Sequence, residues 1–98
     1  MAEPTSGVDA PDTAERIDVT VRYFAAARAA AGRESETVTL PDGTPVAALA
    51  DLLSSRNGQV AAVLARCSYL CDGVAVRDTT RPLRSGSTVD VLPPFSGG

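Results

Sequence analysis

The residues best suited to chemistry occupy the last six positions, which read Pro93-Pro94-Phe95-Ser96-Gly97-Gly98. Proline lacks the backbone N–H that a strand ladder needs, so Pro93 and Pro94 should end the preceding strand and lead the chain away from the body. Gly97 and Gly98 have no Cβ and can enter a channel too narrow for any side chain. We therefore predict a tail, residues 93–98, that threads into the active site of another protein and presents a terminal carboxylate there.

The carboxylate of Gly98 needs activation before it can react. An α-carboxyl group has a pKa of about 3.3 to 3.7, so it is ionised at neutral pH and is a poor electrophile. Joined to AMP, it becomes a good acyl donor, which a sulfur nucleophile converts to a thiocarboxylate and an amine converts to an amide. The alternative interpretation is that the two glycines are only a frayed end.

Chain length and composition predict one small domain. Residues 1–15 hold four acids, no base, two prolines and no apolar periodicity, which is typical of a disordered acidic tail. We place the folded domain at residues 16–94 and a flexible tail at residues 95–98. A domain of this size has little room for a buried catalytic cleft, so a modest core with a working surface is expected.

Charge and residue types argue against several function classes. The formal net charge is −3; the four acids of residues 1–15 account for −4, leaving eight acids against nine arginines. This near-neutral body gives no support for nucleic-acid binding. Histidine is absent, so the commonest general base is missing and the chain is not expected to be an enzyme on its own. Cys67 and Cys71 are expected to pack in or near the core, with no metal site and no disulfide scaffold.

No signal peptide or membrane span is predicted, because the N-terminus has neither a basic start nor a long apolar run. We therefore expect a cytoplasmic protein.

Hydrophobic periodicity in the first half predicts two strands and two helices. Ile17 to Tyr23 alternates apolar with polar residues, as in a strand with one buried face. Ala25 to Ala31 reads as a short helix closed by Gly32, and Ser35 to Leu40 as a second strand before a turn at Pro41-Asp42-Gly43. We predict a main helix capped by Thr44, with Pro45 at its first position, Val46, Leu49 and Leu53 on its buried face, and its end at Asn57-Gly58.

The second half predicts a shorter helix and three more strands. Val60, Val63, Leu64 and Cys67 have helical spacing. Tyr69 to Cys71 and Val74 to Arg77 form a hairpin around Asp72-Gly73, and Thr88 to Leu92 forms the last strand. The order of elements predicts an α+β fold, with a small mixed sheet packed on one main helix and a short extra helix after the first strand.

Two apolar residues, Phe24 and Leu92, are out of phase with the buried faces of their strands. If the first and last strands are neighbours running the same way, Phe24, Leu92 and Phe95 would gather at the root of the tail. An exposed apolar cluster of this kind indicates a protein interface. In the alternative, each of these side chains packs under a loop or against the small helix.

Residues 17–98 resemble the small subunits of molybdopterin synthase, which are sulfur carriers of the ubiquitin-like β-grasp superfamily. The resemblance rests on the first strand running into Tyr23-Phe24-Ala25, the alanine-rich helix with Arg28 and Gly32, the Asp72-Gly73 hairpin, and the ending from Leu92 to Gly98. The diproline-to-diglycine ending is its most specific part.

This resemblance implies a reaction cycle in which Gly98 is the reacting residue. A ubiquitin-activating-type adenylyltransferase would use Mg-ATP to form the acyl-adenylate, and a sulfurtransferase bearing a persulfide would supply sulfur for the thiocarboxylate. The carrier would then dock on the large synthase subunit, in a heterotetramer, and donate sulfur to cyclic pyranopterin monophosphate. No stably bound cofactor is expected. Partner contacts would involve Phe24, Leu92, Phe95 and Val76.

Other functions stay open. The chain could carry sulfur for thiamin or cysteine synthesis, although thiamin-type carriers usually lack a helix at Ala25 to Ala31 and cysteine-type carriers lack the diproline. It could instead be a ubiquitin-like modifier, in which Gly98 forms an amide with a target lysine. A bare interaction module, the third class, predicts that removing Gly98 has no effect.

Overall fold

The computed structural model describes residues 16–94 and contains a five-stranded sheet and three helices. The strands are β1 (Arg16–Tyr23), β2 (Ser35–Pro41), β3 (Ser68–Cys71), β4 (Val74–Ala75) and β5 (Thr88–Leu92). The helices are α1 (Ala25–Ala31), α2 (Val46–Arg56) and α3 (Gly58–Leu64). This confirms the predicted α+β fold with a short helix after the first strand.

The first and last strands lie side by side at the centre of the sheet. The strand order is β2-β1-β5-β3-β4, with β1 and β5 parallel and every other neighbouring pair antiparallel. Tyr23 lies opposite Val91, and Thr20 lies opposite Thr88. The C-terminal tail therefore leaves from a central strand that is hydrogen-bonded on both sides.

The core lies between one face of this sheet and the helices. The odd-numbered residues of β1, which point to one face, are all buried. Val46, Leu49 and Leu53 of α2 cover them, as the helical spacing predicts. Val60 and Leu64 of α3 and Ala27 of α1 complete this layer. The opposite face, which we call the open face, carries no helix within residues 16–94.

Two glycines act as the sequence predicts because they adopt positive φ. Gly32 ends α1 at φ 76°, and its N–H donates to the carbonyl of Arg28. Gly73 has φ 83°, and its neighbour Asp72 has φ 51°, so both central residues of the β3–β4 turn are left-handed. This is the pattern of a type I′ hairpin turn.

The start of α2 differs from the prediction. Pro45 is the N-cap residue in extended conformation, with φ −82° and ψ 165°, and Val46 is the first helical residue. The Thr44 hydroxyl donates to the carbonyl of Pro41 at 2.6 Å and does not cap the helix. The backbone N–H of Leu83 donates to the carbonyl of Thr44 at 2.8 Å, and this long-range contact holds the segment extended.

The second strand of the hairpin is shorter than predicted, because β4 ends at Ala75 rather than at Arg77. Val76 still donates its N–H to the carbonyl of Tyr69 at 2.9 Å, but the chain turns away beyond it.

A polar cluster closes the helix side of the sheet beside Tyr23. Glu36 Oε2 accepts hydrogen bonds from the Tyr23 hydroxyl at 2.5 Å and from Arg56 Nη2 at 2.9 Å. The other carboxylate oxygen, Oε1, lies 3.6 Å from Arg33 Nη1. Burial opposes ionisation of Glu36, but these hydrogen bonds and charges outweigh it and hold the carboxyl pKa below its usual value. Burial and the neighbouring carboxylate raise the pKa of Tyr23.

Candidate functional site

The root of the C-terminal tail lies at one end of the sheet, where β5 ends at Leu92. Pro93 is half-buried and Pro94 is exposed, so the diproline comes directly after the strand and emerges at the surface. The predicted site residues Phe95, Ser96, Gly97 and Gly98 lie outside the described residues.

Phe24 and Leu92 flank this root on the open face. The N–H of Phe24 donates to the carbonyl of Val91 at 3.3 Å, which continues the parallel pairing of β1 with β5 by one residue. Both side chains are half-buried. The structure thus brings together two of the three residues predicted to form an apolar cluster.

An ion pair lies beside these apolar residues on the same face. Arg22 Nε is 3.2 Å from Asp90 Oδ1, and its guanidinium carbon is 5.2 Å from the centre of the Phe24 ring. The Asp90 side chain is only 15% exposed, against 52% for Arg22. Because Asp90 Oδ1 has no hydrogen-bond partner within residues 16–94, the contact is one between charges rather than a well-directed hydrogen bond. Arg22 is therefore held over Phe24 with part of its guanidinium in solvent.

Leu70 of β3 completes the group, since it pairs with Asp90 and so points to the same face. We call Phe24, Leu70 and Leu92, with the Arg22–Asp90 pair, the root patch. Leu70, Arg22 and Asp90 were not predicted as site residues. The available signals were the even positions of Arg22 in β1 and Asp90 in β5, and the position of Leu70 between Tyr69 and Cys71, out of phase with them.

Val76 does not join the root patch. Its partner Tyr69 pairs with the buried Val91, so Val76 lies on the helix side of the sheet and packs against the core. The structure therefore separates Val76 from Phe24 and Leu92, which were also predicted to contact a partner.

The turn from β1 into α1 is strained next to the root patch. Ala25 has φ 49°, a left-handed conformation that is costly for a residue with a Cβ. A cleft of about 330 Å³ opens beside this turn and is lined by Arg22, Phe24, Arg28 and Glu34, among others. Arg28 Nη2 and Glu34 Oε2 are 3.0 Å apart at its edge.

The two thiols are poorly suited to nucleophilic chemistry. Burial raises the pKa of Cys67, and burial together with the Asp72 carboxylate raises that of Cys71. Both are therefore protonated at neutral pH, and a thiol is a much weaker nucleophile than a thiolate. Residues 16–94 also contain no group of three or more side chains able to hold a metal ion. None of the helices in this range has the length and apolar character needed to cross a bilayer.

Comparison with known families agrees with this geometry. The ThiS family profile matches residues 21–98, which include the end of β1, all the later elements, the root patch and the tail. This chain belongs to the ThiS family. A search of curated proteins found no match.

Solved structures of ThiS-like and ubiquitin-like proteins share the fold. A putative molybdopterin converting factor subunit 1 from Pyrococcus furiosus is 28% identical, with a TM-score of 0.73 over 81% of this chain and 99% of that chain. SAMP1 from Haloferax volcanii is 20% identical, with a TM-score of 0.72 over 83% of this chain and 99% of that one. A chain in the complex of subunits 1 and 2 of the Helicobacter pylori molybdopterin-converting factor is 21% identical, with a TM-score of 0.65 over 84% of this chain and 100% of that chain. The resemblance found in the sequence is confirmed at the level of family and β-grasp fold, which small sulfur carriers share with ubiquitin-like modifiers.

Proposed function

We propose that this ThiS family member is the sulfur-carrier small subunit of a molybdopterin synthase. The observation that carries the proposal is the 28% identity to the putative molybdopterin converting factor subunit 1, which extends over almost the whole of that protein. The ending Leu92-Pro93-Pro94-Phe95-Ser96-Gly97-Gly98 supports it, because it supplies a spacer and a slender reactive end.

The fold suits a carrier whose tail works at a distance from its body. β5 is hydrogen-bonded to β1 and β3, so the tail starts at Leu92 from a strand that is fixed on both sides. Six residues beyond Leu92 span about 20 Å when extended. The Gly98 carboxylate can thus act inside a partner while the root patch stays on the partner's surface.

The reacting group in this proposal is the Gly98 carboxylate. It attacks the α-phosphorus of Mg-ATP in an adenylyltransferase, pyrophosphate leaves, and the acyl-adenylate forms. The terminal sulfur of a sulfurtransferase persulfide displaces AMP, and a thiol then cleaves the S–S bond to leave the thiocarboxylate. The large synthase subunit transfers this sulfur to cyclic pyranopterin monophosphate and supplies the catalytic groups.

The root patch is the proposed contact for the large subunit, in a heterotetramer. Phe24 and Leu92 present apolar area beside the tail, and Phe95 would extend it. Arg22 gives the patch a polar element that favours one orientation of the partner. Val76 has no place in this contact, because it lies on the other face of the sheet.

A second candidate is a ubiquitin-like modifier, or a sulfur carrier of another pathway. The similarity in fold to SAMP1, whose name describes a small archaeal modifier protein, is as strong as that to the converting factor. Both fates begin with the same Gly98 adenylate. They differ in the acceptor, which is a sulfur atom in one and a lysine amine in the other.

Intact mass spectrometry separates these functions. The chain would be purified from cells that also make its activating enzyme, beside a variant lacking Gly98. We expect a mass increase equal to one oxygen replaced by sulfur, which is absent in the variant. We also expect the thiocarboxylate form of the chain to transfer its sulfur when it is mixed with a large subunit and the pyranopterin precursor. Amide-linked adducts without that increase would favour the modifier, and an unchanged mass with no adducts would contradict both.

A further inference from the structure

A groove lies at the end of the sheet opposite to the tail. It has a volume of about 430 Å³ and runs between the β3–β4 hairpin and residues 81–84. Val46 and Leu83, which are almost fully buried, form its floor, and the half-buried Val76 lies beside them. Val74, at 65% exposure, is on its rim. The groove therefore offers apolar surface that the described chain leaves uncovered.

Two arginines make one side of this groove basic. Arg81 and Arg84 both line it and are both exposed. Within residues 16–94, neither guanidinium has a carboxylate within 4.0 Å, although Arg22, Arg28, Arg33 and Arg56 each have one. Asp72 also lines the groove, and its carboxylate, whose Oδ1 accepts a hydrogen bond from the N–H of Thr88 at 2.9 Å, offsets one of these two charges. The side chains that line the groove therefore carry one net positive charge.

The N-terminal segment joins the sheet at this same end. β1 is parallel to β5, and Asp72 donates its N–H to the carbonyl of Thr88. The start of β1, the start of β5 and the hairpin turn therefore lie at the same end of the sheet. Gly86 donates its N–H to the carbonyl of Asp18 at 2.8 Å, which places residues 84–87 beside the start of β1. The distance across the sheet from β1 to β4 is three strand spacings, or about 14 Å. Residues 1–15 can span about 50 Å when extended, so the segment is long enough to reach the groove.

We propose that the acidic segment of residues 1–15 docks in this groove. Glu3, Asp9, Asp12 and Glu15 give it four negative charges and it has no base, which complements Arg81 and Arg84. Its sequence places Val8 next to Asp9 and Pro11 next to Asp12, so apolar groups for the floor alternate with carboxylates for the arginines. The segment has no part in the proposed sulfur-carrier function, and the groove is one strand length away from the root patch.

Cysteine alkylation tests this proposal in the full chain. Cys71 lines the groove and Cys67 does not, so one thiol reports on docking and the other is an internal control. Neutral iodoacetamide is used at low ionic strength, and each rate is measured by mass spectrometry of the peptides. The segment is neutralised with Glu3→Gln, Asp9→Asn, Asp12→Asn and Glu15→Gln. This variant is expected to raise the alkylation rate at Cys71 roughly threefold, because the lost surface ion pairs would no longer hold the segment over the thiol. The alkylation rate at Cys67 is expected to stay unchanged.

Arginine variants separate docking from a simple change in potential. Arg81→Gln and Arg84→Gln, in the full chain, are expected to speed alkylation of Cys71, because the segment would leave. Loss of a nearby positive charge without undocking would slow alkylation instead, since it disfavours the thiolate. Arg66→Gln, which removes a charge outside the groove, is the matched control and should leave the Cys71 rate unchanged; the Cys67 rate is not compared in this variant, because Arg66 adjoins Cys67.

Three outcomes would overturn the proposal. The first is an unchanged Cys71 rate in the neutralised segment, and the second is an equal increase at Cys67, which would indicate a general loosening of the fold. The third is protection of Cys71 that grows with protein concentration, because the segment would then occupy a second copy. Since the readout does not involve Gly98, it is independent of the mass measurement proposed for sulfur transfer.

Discussion

Glu36 illustrates how one side chain can join distant parts of this chain. It lies in β2, yet its carboxylate contacts Tyr23 of β1, Arg56 of α2 and Arg33 of the α1–β2 connection. Its side chain is 11% exposed, so these contacts replace most of its water. Charge-assisted hydrogen bonds of this kind are stronger than neutral ones, and removing one partner leaves the others unsatisfied.

Stability near neutral pH should depend on the ionised form of Glu36. Its pKa is lower in the folded chain than in the unfolded chain, so its contribution is present above the unfolded pKa of about 4.5 and is lost as pH falls through the folded pKa. We expect Glu36→Gln to lower the free energy of unfolding by about 1 kcal/mol at about pH 7, and by much less at about pH 3. Urea unfolding at both pH values measures this.

Glu34→Gln is the control for this variant, because Glu34 pairs with Arg28 but its side chain is 75% exposed. Its effect should be within about 0.5 kcal/mol at either pH. If the loss of unfolding free energy in Glu36→Gln were the same at neutral and acidic pH, the ionised carboxylate of Glu36 would not be the source of the stabilisation.

Among the secondary-structure elements, the junction of the helices is organised by Asn57. It ends α2 and caps α3, with φ −160° and ψ 121°. Its Oδ1 accepts from the N–H groups of Gln59 at 2.7 Å and Val60 at 3.3 Å, and its Nδ2 donates to the carbonyl of Ala30 in α1 at 3.4 Å. Its backbone N–H donates to the carbonyl of Ser54 in α2, so this one residue contacts all three helices.

Replacing this cap should destabilise the fold measurably. We expect Asn57→Ala to lower the free energy of unfolding by about 1 to 2 kcal/mol, because two N–H groups of α3 lose their acceptor. Asn57→Asp keeps that acceptor and should cost less than about 0.5 kcal/mol. Urea unfolding of the three proteins provides the comparison, and equal losses in both variants would show that the bond to Ala30, not the cap, is what matters.

At the scale of the whole molecule, two surface sites lie at opposite ends of the sheet. The root patch lies where β5 ends, and the basic groove lies where β5 begins. The helices bury one face and leave the open face available in residues 16–94. Partner docking at one end therefore need not disturb the other.

The root patch yields a prediction about partner binding. In the proposed synthase complex, Leu92→Ser is expected to weaken binding to the large subunit about tenfold or more, because an apolar side chain next to the tail is lost from the contact. Leu52→Ser, which changes an exposed leucine of α2, should leave affinity unchanged. Calorimetric titration measures both, with urea unfolding to confirm that each variant is folded. Equal affinity of the two variants would exclude the root patch as the docking surface.

Elements with local signals could be predicted from the sequence without any knowledge of the fold. Alternation defined β1, alanine content and Gly32 defined α1 to the residue, and the Asp72-Gly73 pair defined the hairpin turn. The ending at residues 93–98 predicts a reactive C-terminus in the same local way, and the role of that terminus stays a prediction. Each of these signals depends on the preferences of a few adjacent residues, which act whatever the rest of the chain does.

Features that depend on residues distant in sequence emerged only with the tertiary structure. Thr44 and Pro45 have the local chemistry of a helix start, but the contact from Leu83 holds them extended. Val76 was grouped with Phe24 and Leu92, yet the hairpin register turns it to the other face. The pairing of Arg22 with Asp90 exists only because parallel pairing of β1 and β5 brings together segments more than sixty residues apart. The groove that Arg81 and Arg84 share with the hairpin also includes Val46 of α2, which only the tertiary fold brings beside them. Side-chain direction reverses with each single-residue shift in register, so no local pattern could specify these contacts.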